Sequence, residues 1–321
     1  MKRVLVTGAA GFIGSHLSHA LVERGIEVVC IDDFTDSYDP TEKLIRASRL
    51  ADLSSVEFVR GDLASMDIHS HLKSVDTVFH LAGRAGVRSS FSSYPSYVHD
   101  NIVATTQLVR AITDVARPIR LVYASSSSVY GDAPRPFKET MDTAPISPYG
   151  KSKLASESLV LGAKSEKVSV VALRYFTVYG PEQRPDMGIR KFIIQALLNQ
   201  EIEIYGDGRQ SRDFTYVGDI VDATIRAGMA DVSGIAINIG GGSTVTLLEV
   251  MDVIARLRGK ELRLHFGAFA QGDVMHTGAD LTRAKYYLDF CSGTSFSEGV
   301  AREYAWLEKK LSDVGALEVV G

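Results

Sequence analysis

The sequence predicts an α/β fold in which a doubly wound parallel sheet is followed by a smaller, mixed C-terminal lobe. Two observations support this prediction. Short apolar, β-branched runs, typical of strands buried on both faces, alternate with stretches of helical spacing through the first half of the chain. Past about residue 175 the alternation gives way to short segments separated by glycine-rich turns at 206–208 and 240–242.

The predicted elements follow one another in a regular order. A strand at Val4–Thr7 leads through a glycine-rich turn into a helix that ends at Gly25, and Glu27–Ile31 forms the next strand, which makes one right-handed βαβ unit. We assign residues 1–175 to a first domain and expect a later segment, near 210–240, to return to it. Residues 176–321 form mainly the lobe. Further strands are predicted at Val56–Arg60, Asp76–Leu81, Arg120–Ala124 and Ser169–Arg174, and short segments of the lobe at Glu201–Tyr205 and Ala236–Ile239.

Composition excludes several classes of protein. The chain has 321 residues, 45% of them hydrophobic and 23% charged, and a net charge of −4, so we expect no nucleic-acid partner. Cys30 and Cys291 are isolated, which excludes a disulfide framework and argues against a zinc site. No apolar run reaches the ~18 residues that a membrane span needs, and the N-terminus does not read as a secretory signal. We therefore expect a cytoplasmic protein without membrane attachment.

The turn after the first strand carries three glycines with a distinct task each. Gly8 permits a tight turn, Gly11 lets a pyrophosphate approach the backbone, and Gly14 lets the helix pack closely on the sheet. Asp32 and Asp33 follow the second strand, where a carboxylate binds the adenosine ribose hydroxyls and repels a 2′-phosphate. The sequence therefore predicts a Rossmann-type domain that binds NAD rather than NADP.

A second pattern concerns proton transfer. Tyr149 and Lys153 are spaced i and i+4 in SPYGKSK, and Ser147 or Pro148 can begin a helix that places both on one face. An ammonium beside a phenol favours the phenolate, so we expect the pKa of Tyr149 to fall below its reference value of about 10. Such a tyrosine is a general base at neutral pH. The competing interpretation is an incidental pair on a surface helix.

Serines 125–128 stand where the predicted strand Arg120–Ala124 ends. Ligands of doubly wound sheets bind at the carboxyl ends of strands, so hydroxyls at this position can share a proton with a substrate alcohol. One or two of the four serines can equally be turn formers or helix caps. The glycine turn, the strand-end serines and the Tyr-x-x-x-Lys pair together form a specific combination.

With these motifs the chain resembles the extended short-chain dehydrogenase/reductases, in the branch of NAD-dependent nucleotide-sugar epimerases and dehydratases. The resemblance covers nearly the whole length. It rests on TGAAGFIGSHL (7–17), GDL (61–63), HLAG (80–83), ASSSSVYG (124–131), PYGKSK (148–153), RYFTVYGPEQRPDM (174–187), GDGRQSRDFTYVGDIV (206–221) and NIGGG (238–242).

The resemblance implies a role for individual residues. The catalytic trio would be Ser126, Tyr149 and Lys153. Residues at the NAD would be Gly8, Gly11, Phe12, Ile13, Gly14, Asp32, Asp33, Asp62, Leu63, Leu81, Ala82, Gly83, Asn101, Tyr149, Lys153 and Tyr175. Residues at a UDP-sugar substrate would be Arg88, Ser127, Ser128, Thr177, Arg184, Arg212 and Asp273, and no metal is expected. A homodimer through helices near 95–115 and 147–163 is also implied.

The implied chemistry is oxidation of a sugar hydroxyl at C4, followed either by reduction on the other face or by loss of water, with hydride returned to the sugar. The 4,6-dehydratases of the family carry Asp-Glu before Val-Tyr-Gly, where this chain has Ser127 and Ser128. This difference argues against an ordinary 4,6-dehydratase, and ASSSSVYG and RPDM resemble UDP-glucuronate 4-epimerases. Arg184 would then bind the sugar carboxylate, since a guanidinium matches it in bidentate geometry.

Three alternatives stay open at the level of sequence, and one of them is a net dehydrogenase that releases NADH. Gly83-Arg84 and Ala270-Gln271 depart from the family pattern, and Arg84 would add a positive charge near the nicotinamide or the sugar. These departures leave room for a UDP-N-acetylglucosamine 5,6-dehydratase of nucleoside-antibiotic, tunicamycin-type biosynthesis. A non-catalytic NAD-binding regulator on the same fold is the third alternative, because a fold alone does not fix a function.

Overall fold

A computed structural model describes residues 1–268 and 274–317. The strands are β1 Arg3–Thr7, β2 Glu27–Asp32, β3 Val56–Arg60, β4 Thr77–His80, β5 Ile119–Ser126, β6 Val168–Tyr175, β7 Thr177–Tyr179, β8 Ile202–Tyr205, β9 Ser211–Tyr216, β10 Ile235–Ile239, β11 Thr244–Thr246 and β12 Leu264–Gly267. The helices are α1 Phe12–Glu23, α2 Thr41–Ala51, α3 Tyr94–Tyr97, α4 Ala104–Thr113, α5 Pro148–Gly162, α6 Gly188–Leu197, α7 Val217–Met229, α8 Leu247–Arg258, α9 Thr282–Leu288 and α10 Phe296–Asp313.

Seven strands form one sheet in the order β10-β6-β5-β4-β1-β2-β3, and each neighbouring pair is parallel. The predicted doubly wound parallel sheet is therefore confirmed. The strand order reverses beside β1, and ligands of such sheets bind in the crevice outside the carboxyl ends of the strands at this point. All seven strands direct those ends to one edge, so the residues that follow β1, β2, β4, β5 and β6 can meet there.

The edge strand β10 lies in the large sheet, with Ile237 beside Leu173 of β6. Its residues fall within the segment near 210–240 that is predicted to return to the first domain. Both side chains are fully buried. A short apolar run far along the chain does not reveal which sheet it joins, because pairing is a long-range property. The division at residue 175, with a segment near 210–240 returning to the first domain, stays a proposal.

Two apolar layers cover the faces of the large sheet. One joins residues of β1, β2 and β6 with α1 and α7, and the other joins alternate residues of the same strands with α4 and α5. A third apolar cluster lies among α6, α8, α10 and β8, beside the small sheets β11-β9-β7 and β12-β8. Burial on both faces fixes the height of each strand in the sheet, and this fixes the relative positions of the loops at its carboxyl edge.

None of the helices in the described ranges combines the length and the apolar character that a crossing of a lipid bilayer requires.

Candidate active site

The glycine turn between β1 and α1 leaves no room for side chains. Gly8 has φ +69°, and a Cβ added to it would lie 2.7 Å from the Ala82 backbone nitrogen. A Cβ on Gly11 would lie 3.0 Å from the Gly8 carbonyl oxygen, and one on Gly14 would overlap that oxygen. The turn is therefore a bare backbone cradle at the start of a helix, which fits the pyrophosphate of a dinucleotide. Phe12 and Ile13 form the first turn of α1 behind it.

The acidic pair after β2 lies beside this cradle. The Asp32 carboxylate accepts hydrogen bonds from the backbone nitrogens of Ala10 at 3.0 Å and Phe34 at 2.9 Å, and the Lys43 ammonium lies 3.5 Å away. Asp33 accepts a bond of 2.9 Å from the Thr35 nitrogen, and burial raises the pKa of its carboxyl. Asp32 is thus fixed at the end of β2 as an acceptor beside the turn, the position at which a ribose hydroxyl is bound.

The loops after β3 and β4 complete this side of the groove. Asp62 and the buried Leu63 follow β3, and Asp62 accepts a bond of 2.8 Å from the Ala64 nitrogen. Leu81, Ala82 and Gly83 follow β4, and the Ala82 nitrogen donates to Thr7 Oγ1 at 3.2 Å. A Cβ on Gly83 would lie 2.7 Å from Asn101 Oδ1 and 4.0 Å from Lys153 Nζ. Gly83 therefore brings the β4 loop against both Asn101 and the candidate catalytic lysine.

Helix α5 presents the Tyr-x-x-x-Lys pair. The Ser147 side chain caps the helix by accepting a bond of 3.0 Å from the Gly150 nitrogen, and Pro148 is its first residue. The Lys153 side chain is buried, and its ammonium lies 4.4 Å from the centre of the Tyr123 ring on β5. The half-buried Tyr149 lies one turn earlier, with its ring 6.2 Å edge-on from that of Tyr97.

The charge state of this pair differs from the sequence expectation. Burial raises the pKa of Tyr149 above its ordinary value, and the nearby Ser126 hydroxyl and Arg184 guanidinium oppose the rise. Burial lowers the pKa of Lys153 to about 7, and only the Glu157 carboxylate opposes that fall. The prediction that Lys153 depresses the pKa of Tyr149 is wrong for this structure. Removal from water disfavours both charged forms, and that cost exceeds the attraction between a phenolate and an ammonium.

The serines that follow β5 divide into two groups. Ser126 lies at the end of the strand beside Tyr149, and its hydroxyl oxygen accepts a bond of 3.1 Å from the Ser128 nitrogen. Ser127 and Ser128 are half-buried in the helical turn that follows. Ser125 instead donates a bond of 2.5 Å to Glu157 beneath the site. Ser126 is therefore the serine in contact with the tyrosine, and Ser125 is structural.

A buried ion pair beneath the site was not predicted from the sequence. Glu157 on α5 accepts from Arg174 on β6, at 2.6 Å from Nη2 and 3.1 Å from Nε, and Arg174 also donates to the Tyr130 hydroxyl at 2.9 Å. Both side chains are almost completely buried. Two signals could have found the pair: Glu157 lies one helical turn after Lys153, and Arg174 is the only charge in an apolar strand.

The expected substrate residues lie on the lobe side of the same edge. Arg184 forms a bidentate pair with Asp186, with nitrogen–oxygen distances of 3.1 and 2.9 Å. Arg88 stacks 4.6 Å from the centre of the Tyr205 ring. Arg212 donates to the Met275 carbonyl at 3.1 Å, and Thr177 begins β7. Asp273, the other expected substrate residue, lies outside the described residues.

The hydroxyl of Tyr175, a residue that the resemblance places at the NAD, is bound inside the fold. It is buried, and its hydroxyl is 2.6 Å from Thr224 Oγ1 on α7. Only its ring or backbone is therefore available to the groove.

Among the described residues no group of three or more His, Cys, Asp or Glu side chains is arranged to hold a metal ion.

The model of the NAD dependent epimerase/dehydratase family matches residues 4–240. The chain belongs to this family. The matched range contains the glycine cradle, the strand-end serines and the Tyr149–Lys153 pair. The protein is accordingly an NAD-dependent enzyme of the family, and the cradle, Asp32 and Gly83 fit that cofactor.

Two solved structures and one relative show how the family resemblance extends over the chain. A UDP-glucuronic acid 4-epimerase from Bacillus cereus, solved with UDP-glucuronic acid and NAD, superimposes with a TM-score of 0.92 at 36% identity over 96% of this chain and 99% of its own. MoeE5, solved with UDP-glucuronic acid and NAD, is 42% identical with a TM-score of 0.88 and covers 96% and 100%. The Bacillus subtilis protein named uncharacterized UDP-glucose epimerase YtcB is 39% identical over 95% of this chain and 98% of its own.

The buried ion pair gives a prediction about stability. Glu157→Gln leaves the Arg174 guanidinium buried without a counter-charge, so the free energy of unfolding should fall by about 3–5 kcal/mol. The measurement is denaturant unfolding at neutral pH. Arg302→Gln is the matched control, because it removes an exposed pair with Glu298 and should change stability far less. Equal effects of the two substitutions would show that the buried pair does not hold α5 to β6.

Proposed function

We propose that the protein is an NAD-dependent UDP-hexose 4-epimerase and that its substrate is UDP-glucuronate. The observation that carries the proposal is the position of Arg184. Its guanidinium binds the Asp186 carboxylate in bidentate geometry, and its charge opposes the rise that burial causes in the pKa of the Tyr149 phenol. A cation near the proton-accepting group suits a sugar that carries a carboxylate at C6, because the ring carbon C4 and the exocyclic C6 are both attached to C5. The relatives solved with UDP-glucuronic acid support the same substrate.

Tyr149 and Ser126 are the groups that would handle the proton of the C4 hydroxyl. Tyr149 would accept this proton as the phenolate, after its own proton has passed to the neutral form of Lys153, and Ser126 beside it would orient the hydroxyl by hydrogen bonding. When NAD is held by the glycine cradle and Asp32, it would supply the hydride acceptor for C4, and the hydride would return to the opposite face of the sugar. Lys153, with a pKa of about 7, can exchange a proton at neutral pH and donate hydrogen bonds toward Tyr149 or the cofactor ribose. The 4-keto sugar must turn over between the two transfers.

The residues after β5 favour epimerisation over dehydration. Elimination of water needs an acid for the leaving hydroxyl and a base for the C5 proton. Ser127 and Ser128 supply hydroxyls at the positions where the 4,6-dehydratases carry Asp-Glu. A serine hydroxyl gives up its proton far less readily than a carboxylic acid. The 4-keto sugar is therefore reduced rather than dehydrated.

The Arg184–Asp186 pair shows what the guanidinium can recognise. Asp186 presents a carboxylate to Arg184 in the bidentate geometry that a glucuronate carboxylate would also use. The Arg184 side chain is 19% exposed and that of Asp186 44% exposed, so the pair is accessible. Asp186 therefore competes with the substrate carboxylate for the same donors.

We also propose a homodimer through α4 and α5. A shallow groove between these helices is lined mainly by apolar residues, among them Ile102, Val109, Ala155 and Leu159. Val103 and Leu159 are each 37% exposed, which is unfavourable for apolar side chains in contiguous contact with water. A second copy that packs the same two helices against these would bury the groove by twofold symmetry. Because α5 carries Tyr149 and Lys153, this contact would also brace the site.

We further propose that the protein works in the cytoplasm. Among the described residues Cys30 and Cys291 are free thiols, and Cys291 is exposed, which suits a reducing compartment.

The first functional prediction concerns the product. Incubation with UDP-glucuronate should give a UDP-hexuronate of unchanged mass and inverted configuration at C4, identified by mass spectrometry and proton NMR. UDP-N-acetylglucosamine should not lose water. Loss of one water from either sugar would instead establish a dehydratase.

Tyr149→Phe should abolish turnover while bound NAD is retained, and an unaffected variant would point to the non-catalytic regulator.

A second prediction separates substrate charge from general binding. Arg184→Gln should raise the KM for UDP-glucuronate about 10- to 100-fold, since a charged hydrogen-bonded pair contributes about 1.5–3 kcal/mol. The KM for UDP-glucose should change far less. Asp186→Asn is the matched substitution: it removes the competing carboxylate and should lower the KM for UDP-glucuronate. If Arg184→Gln affects both sugars equally, Arg184 does not read the carboxylate.

The dimer prediction is tested by sedimentation. The wild type should sediment as a dimer, and Leu159→Glu, which places a charge in the apolar groove, should shift it toward the monomer. Tyr286→Glu is the control, because Tyr286 is a strongly exposed residue of α9, away from the groove. A monomeric wild type would rule out this interface.

A further inference from the structure

The side chain of Arg84 lies between two aspartates of neighbouring segments. Its Nε donates to Asp100 Oδ2 at 2.7 Å, and its Nη2 lies 3.8 Å from Asp36 Oδ1. The arginine side chain is only 16% exposed. Asp36 belongs to the loop that follows β2 and Asp32. Arg84 therefore points toward the loop at the ribose-binding end of the groove.

The order of the strands shows that the contact between Arg84 and Asp36 crosses the dinucleotide groove. Arg84 follows β4, Asp36 follows β2, and β1 lies between those two strands in the sheet. The loop after β1 is the glycine cradle that fits the pyrophosphate. A contact between the loops after β4 and β2 must therefore cross the carboxyl edge of β1. The Arg84–Asp36 pair spans the groove at the level of the cradle.

The base of Arg84 is held firmly. Its backbone nitrogen donates to Asn101 Oδ1 at 2.7 Å, and its carbonyl oxygen accepts from Asn101 Nδ2 at 3.1 Å. Asp100 and Asn101 are consecutive residues of a π-helical segment, Val98–Val103, between α3 and α4. Such segments are rare and concentrate at functional sites. This one holds the side chain of Arg84 through Asp100 and its backbone through Asn101.

The far end of the contact is different. The Asp36 side chain is 94% exposed, and its 3.8 Å separation from Arg84 is that of a loose ion pair. Exposed pairs of this kind open and close readily because they are weak. The guanidinium Nη1 donates no hydrogen bond to the residues that the structure describes. The backbone of Arg84 is thus fixed, its Nη1 is available as a hydrogen-bond donor, and its guanidinium is held only weakly above the phosphate cradle.

We propose that Arg84 is a strap over the dinucleotide groove that slows the release of NAD. It binds the cofactor diphosphate through its spare donor and closes toward Asp36. The inference rests on NAD as cofactor and not on which UDP-sugar is the substrate. It suits a reaction in which hydride returns to the sugar, because the cofactor then need not leave between turnovers.

The experiment measures release of NAD directly, without any sugar. Holoenzyme carrying radiolabelled NAD is chased with unlabelled NAD, and the label that stays on the protein is followed over time. Arg84→Gln should speed release by about tenfold or more, as expected for loss of charged hydrogen bonds. Asp36→Asn should speed it by about two- to fivefold, as expected for a loose exposed pair. Raised salt should speed release from the wild type more than from Arg84→Gln.

Controls separate the strap from damage to the fold. Arg302→Gln removes an exposed ion pair on α10 and should leave release unchanged. In the double variant, Asp36→Asn should add little to Arg84→Gln, because both remove one contact. If Arg84→Gln does not fold, Asp36→Asn decides alone, since its side chain is exposed. Wild-type release rates in Asp36→Asn, or fully additive effects in the double variant, would overturn the proposal. Because no sugar is present, the result is independent of the proposed substrate.

Discussion

The arrangement of the site depends on one constraint, the burial of the Lys153 ammonium at the carboxyl edge of the sheet. Water is replaced there by the face of the Tyr123 ring and by the Glu157 carboxylate one helical turn away. Burial lowers the pKa of Lys153, whereas Glu157 raises it, and the balance places it near neutrality. Glu157 is itself bound by Arg174 on β6. The Glu157–Arg174 pair therefore influences the pKa of Lys153 and also holds α5 against the sheet.

From this constraint the rest of the site follows. Helix α5 is fixed against β5 and β6, which places Tyr149 beside Ser126 at the end of β5. The cradle after β1 and the glycine after β4 leave space for a dinucleotide, and the charge of Arg184 acts on the Tyr149 phenol. Burial raises the pKa of the phenol, so the tyrosine of the ligand-free site holds its proton at neutral pH.

Much of the fold could be predicted from the sequence because local patterns determine it. The strand Val56–Arg60 was predicted with the bounds that the structure shows, and Ser147 caps α5 as expected. What escaped prediction depends on distance in space. The partner of Glu157 is on another element, and the direction of Arg84 is decided by Asp100. The pKa of Tyr149 was mispredicted since spacing reports neighbours but not desolvation.

The central claim is that one hydride leaves C4 of the sugar and returns to the same carbon while a tyrosine handles the hydroxyl proton. The most direct measurement uses UDP-glucuronate that carries deuterium at C4 and is converted to equilibrium in ordinary water. A parallel reaction converts unlabelled UDP-glucuronate in deuterated water. The account predicts that the epimer of the first reaction keeps its deuterium at C4 in full, and that the epimer of the second acquires no deuterium at C5. Loss of deuterium from C4 to water, or entry of solvent deuterium at C5, would contradict it.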